Sequence, residues 1–69
     1  MSAELPQPTA RRLEALRHMA DGCTVRGTAR AMGVTANTVK MLLRLARAAL
    51  GADSTTHAVA VAFRRGLLR

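Results

Sequence analysis

Apolar residues recur along this chain at intervals of three and four, and four stretches carry the repeat. Residues so spaced share one face of an α-helix, because the backbone turns once in about 3.6 residues. In the first stretch Leu13, Leu16, Met19 and Ala20 make the apolar face of a helix over about 10–21. Thr9 stands where a side-chain oxygen can cap it, and Gly22 where it must stop. In the second, over about 25–32, Val25, Thr28, Ala29 and Met32 face inward and Arg26 and Arg30 outward, between Thr24 and Gly33. The third runs over about 36–50 and is stopped by Gly51. The fourth runs over about 57–66, opened by Thr55 or Thr56, with Val59, Ala62, Phe63 and Gly66 turned to the core. Apart from the short run AVAVAF, nothing alternates as a half-buried strand does. The pattern predicts an all-α domain of four helices over 9–69, preceded by an arm, 1–8, with two prolines and no periodicity.

Only Gly33, Val34 and Thr35 separate the second helix from the third. A short helix, a three-residue turn containing glycine and a longer helix have the form of a helix-turn-helix. Such a turn is too short for an antiparallel return, so the third helix is left projecting.

Charge sharpens this picture. The 69 residues carry a net charge of +7, and ten of the eleven cations are arginine. Only Glu4, Glu14, Asp21 and Asp53 oppose them. A balance this basic points to a polyanion, nucleic acid first. There is no Trp or Tyr and only one Phe, so stacking of single-stranded bases is disfavoured and duplex DNA is left. Alanine and arginine abundance suggests a GC-rich bacterial or phage genome.

The third helix concentrates the charge. With Lys40 as origin and about 100° per residue, Arg44 falls at about 40°, Arg47 at about −20° and Asn37 at about 60°. Val39, Leu42, Leu43, Ala46 and Leu50 occupy the other side, and Met41 edges the cationic face. A helix fits the major groove, whose floor offers guanine acceptors and thymine methyls between phosphate walls. Arg44 suits a guanine edge bidentately, Lys40 as a flexible point charge, and Met41 a thymine methyl. Thr35, Asn37 and Thr38, at the helix start, suit a phosphate, as do Arg47 and Arg26. An ordinary amphipathic helix with a solvated basic face gives the same wheel on its own; the tight turn and the net charge favour the DNA reading.

From Gly22 onward the chain resembles the LuxR-type (NarL/FixJ/GerE) DNA-binding domain. Gly22, Thr24, Ala29, Gly33, Thr38-Val39-Lys40, Leu50-Gly51 and Ala58-Val59 fall in register with that family's pattern without a gap. Thr9, Arg11, Glu14 and Leu16 echo the segment upstream, so the resemblance covers 9–68. It implies a four-helix domain that binds DNA through Lys40, Met41 and Arg44 and commonly pairs through its fourth helix. Arg12, Gly27 and Leu42 depart from the pattern, the first two where the family usually has glutamate. Most relatives carry a sensor domain ahead of this module; eight residues leave no room for one, so a stand-alone regulator is expected.

On the fourth helix His57, Val61, Arg64 and Leu68 form a second stripe suited to a homodimer contact; scattered surface apolar residues would look the same. His18, Cys23 and His57 lack the paired spacing of metal ligands, and no nucleophile–base set is present, so no cofactor, metal or enzymatic activity is expected. No secretory signal or membrane span is visible, which predicts a cytoplasmic, nucleoid-associated protein. The expected function is sequence-specific regulation of transcription on double-stranded DNA. The alternatives are a low-specificity DNA accessory protein and a protein-interaction module, an adaptor or anti-sigma-like protein docking on RNA polymerase. Exposed Val61, Leu68 and Leu45 would favour the last.

Overall fold

The computed structural model describes residues 8–69 and is all-helical: α1 (Ala10–Ala20), α2 (Val25–Met32), α3 (Ala36–Leu50) and α4 (Thr55–Arg64). Of the proposed arm 1–8, residues 1–7 lie outside the described residues, and Pro8 is buried rather than free.

Each helix begins on a hydroxyl that accepts a backbone N–H of the first turn, which would otherwise have no partner. Thr9 accepts from Arg12 at 3.4 Å, Thr24 from Gly27 at 2.9 Å and Thr35 from Thr38 at 3.1 Å. The fourth cap is Ser54, which accepts from His57 N–H at 3.0 Å, so α4 starts two residues earlier than the sequence suggested. His57 answers by accepting the Asp53 N–H on Nδ1 at 3.3 Å, a reciprocal bond that fixes the entry to the helix.

Glycine in the left-handed region closes two of these helices in ways that matter for the site. At Gly33, with φ of 68°, the chain reverses so that Val34 N–H reaches Ala29 C=O at 3.0 Å and α3 begins two residues later. At Gly66, with φ of 72°, Leu67 N–H reaches Ala62 C=O at 2.8 Å. This turn ends α4 at Arg64, where the sequence pattern ran on to 66. The first helix likewise stops at Ala20, with Asp21 as its cap.

The early stop of α4 overturns one expectation about its faces. Leu68 is not on a helix; the turn at Gly66 folds it back into the core, where it is 3% exposed. Phe63, expected in the core, is 46% exposed. The reason is direction: fully buried Ala58 and Ala62 mark the face of α4 that meets the other helices, and Phe63 lies about 120° round from it.

α1 and α3 touch each other and both remaining helices, whereas α2 and α4 do not meet. Leu16, Val39 and Leu43 lie among the alanines, with Met32, Leu50 and Leu68 completing the core. Thr28 is fully buried too; its hydroxyl donates to Met19 Sδ at 3.8 Å, and no buried side-chain polar atom among the described residues lacks a partner.

Candidate nucleic-acid interface

α3 buries Val39, Leu43, Ala46 and Leu50 on one side. Their mean direction leaves Met41 and Ala48 pointing outward, Asn37 and Arg44 within about 50° of that line, and Lys40 about 90° away on the flank. Asn37, Lys40, Arg44 and Ala48 are exposed and Met41 is 43% exposed, while Arg47, further round, is half-buried. Leu45 is half-buried as well.

The flank carrying Lys40 borders a cavity of about 590 Å³. Asn37, Lys40, Arg44 and Arg47 line it from α3, Met19 from α1, Val25 from α2 and Thr55 from α4. Three cations therefore share one concave surface with no carboxylate among its lining residues. The first residues of α2 and α4 both border it, and helix N-termini carry the positive end of the peptide dipoles. The surface is built to attract negative charge. Glu14, the acid nearest the start of α1, is instead engaged by Arg11 at 3.3 Å.

Three of the expected phosphate ligands are partly committed within the protein. Thr35 and Thr38 lie with their hydroxyl oxygens 2.9 Å apart, and Thr35 also accepts the Thr38 N–H. Arg47 donates from Nη1 to Thr55 Oγ1 at 3.4 Å, tying the middle of α3 to the start of α4. Arg47 is therefore a braced side chain rather than a free one. Arg26 is exposed on α2, one residue from Val25 at the cavity rim.

The proposed dimer stripe is only partly assembled. His57 and Arg64 are exposed, Val61 is half-buried against the core, and buried Leu68 is removed from the set. Phe63 is the large apolar side chain that α4 does present, and the sequence reading missed it. The signal was there in the alanines at 58 and 62, whose shared direction lies about 120° from that of Phe63.

Among the described residues no group of three His, Cys, Asp or Glu side chains is placed to hold a metal ion, and no helix is long and apolar enough to cross a membrane. Comparison of the chain with family models, curated proteins and solved structures gives no match.

Proposed function

We propose that this chain is a sequence-specific regulator of transcription that binds double-stranded DNA through a domain of the LuxR type, with α3 as its recognition helix. The observation that carries the reading is the outward face of α3: exposed Asn37, Lys40, Met41 and Arg44 beside a concave, acid-free cationic surface. A helix about 10–12 Å across fits a major groove about 12 Å wide. Met41 and Arg44 meet the groove floor directly, and Lys40 reaches it from the flank on its four-carbon stem. Arg47, held by Thr55, and Arg26 supply sequence-independent attraction to phosphates. The resemblance at Thr38-Val39-Lys40 and Leu50-Gly51 supports the same roles.

The domain acts as a homodimer through α4, with exposed Phe63 as the apolar contact and exposed His57 and Arg64 further round the helix. Two-fold pairing suits a site with two related halves. The nucleoid is then where the protein resides.

Selection of binding sites from a random duplex library, followed by titration of the recovered sites across a salt range, tests the proposal. A motif with two related halves is expected. Salt-sensitive binding without a motif would replace the regulator with a low-specificity accessory protein. No binding at low salt would refute DNA as the partner.

A further inference from the structure

The start of α3 carries three polar side chains, and two of them are spoken for. Thr35 and Thr38 hold each other and the first-turn backbone. Asn37 between them is exposed, and its amide makes no hydrogen bond among the described residues. It stands on the outward line of α3 with Met41, Arg44 and Ala48, the i, i+4, i+7, i+11 row opposite the buried face. Sequence reasoning grouped it with the phosphate ligands because it sits near the helix start. Its direction is that of the groove floor instead, about 30° from the outward axis where Lys40 is about 90° away.

A carboxamide presents one acceptor and two donors in a plane. Adenine presents N7 as acceptor and N6 as donor on its major-groove edge, the complementary pair. We propose that Asn37 is a specificity-determining residue that selects adenine in each half-site. The inference rests on the DNA-binding reading and extends it from a surface to a base. Arg44, seven residues on, lies about 10 Å further along the helix axis. At about 3.4 Å per base pair, the adenine and the guanine read by Arg44 are two to three base pairs apart. Met41, between them, meets whatever methyl the intervening pairs present.

The experiment is site selection with the full chain, its Asn37→Ala variant and its Asn37→Asp variant, each on the same random duplex library. An acid in the first turn of α3 is favourable to the helix, so Asn37→Asp folds; circular dichroism confirms this for both variants. Wild type is expected to recover an adenine two to three positions from a guanine. Asn37→Ala should lose the preference for that adenine, by about 5- to 150-fold on the chosen site against its adenine-substituted versions, and keep the guanine. Asn37→Asp, an acceptor only, should bind all duplexes more weakly and shift the same position towards cytosine, whose N4 donates. An unchanged motif in both variants, or a wild-type motif without the adenine, overturns the assignment of Asn37 and leaves α3 as the recognition helix. Absence of any motif from wild type removes sequence reading altogether, and Asn37 with it.

Discussion

Replacing Leu68 with alanine trims a buried isobutyl group to a methyl at a point where the chain has already left α4. Leu68 is 3% exposed and belongs to a core of eleven hydrophobic residues, so nearly all of the lost surface was hidden from water. Leu-to-alanine changes in cores cost about 2–5 kcal/mol, the spread reflecting how far the site collapses. Leu68 lies outside a helix, where the backbone can shift to fill part of the gap, which places this variant at about 2–3 kcal/mol. A domain of 69 residues has a total stability of about 3–10 kcal/mol, so the loss is a large share of it. For a domain this size each kcal/mol moves the midpoint by about 4–8 °C, giving an expected fall of about 10–20 °C. The matched control is Phe63→Ala, where the residue is 46% exposed and the cost should be about 0.8–1.6 kcal/mol. Both variants are to be unfolded by heat and by urea, at a concentration where scattering shows a monomer. An unchanged urea slope would confirm that the comparison is of like states. If Leu68→Ala costs no more than Phe63→Ala, Leu68 is at the surface and the account of the Gly66 turn is wrong.

Three further outcomes are expected. Arg44→Ala should weaken the preferred duplex by about 1–3 kcal/mol and relax its sequence preference, whereas Arg47→Ala should weaken all duplexes alike and lower the salt slope by about one; fluorescence anisotropy across salt separates the two. Phe63→Glu should abolish the proposed dimerisation without unfolding the monomer, read by sedimentation equilibrium against wild type; dimerisation that survives it would place the interface elsewhere. Gly27→Ala should stabilise the domain by about 0.5 kcal/mol in urea titration: the helix gains up to about 1 kcal/mol. A new Cβ there would lie 3.2 Å from Thr24 Oγ1, and that exposed cap has room to give a few tenths of an ångström.

The helices that the sequence announced most clearly were those with a single capping hydroxyl and a single stop. Thr24 and Gly33 bound α2, and Thr35 and Gly51 bound α3, at the positions their chemistry indicates. At α4 three hydroxyls stand in a row, Ser54, Thr55 and Thr56, and each is a competent cap. What decides among them is the reciprocal bond between Asp53 and His57, a three-dimensional fact that spacing does not express. The far end of α4 was misread for a different reason. A hydrophobic residue seven places from Val61 looks like the same stripe two turns on, yet Gly66 intervenes and the chain turns inward. The cations of α3 were visible from periodicity alone, because a helix of fifteen residues holds its register. The bonds that brace Arg47 against Thr55 and commit Thr35 to Thr38 were not, since they depend on contacts the wheel omits.

Five of the eleven buried hydrophobic residues are alanines. A methyl hides little surface, so unfolding this bundle hydrates less apolar area than a leucine-filled core of equal length would. The heat-capacity change on unfolding scales with that area, about 0.45 cal/mol/K for each apolar Å², and falls at or below the usual 12–15 cal/mol/K per residue. A small heat-capacity change flattens the dependence of stability on temperature. The domain thus trades height for breadth: a modest maximum, with the folded fraction held nearly level through a wide span of cold and moderate conditions.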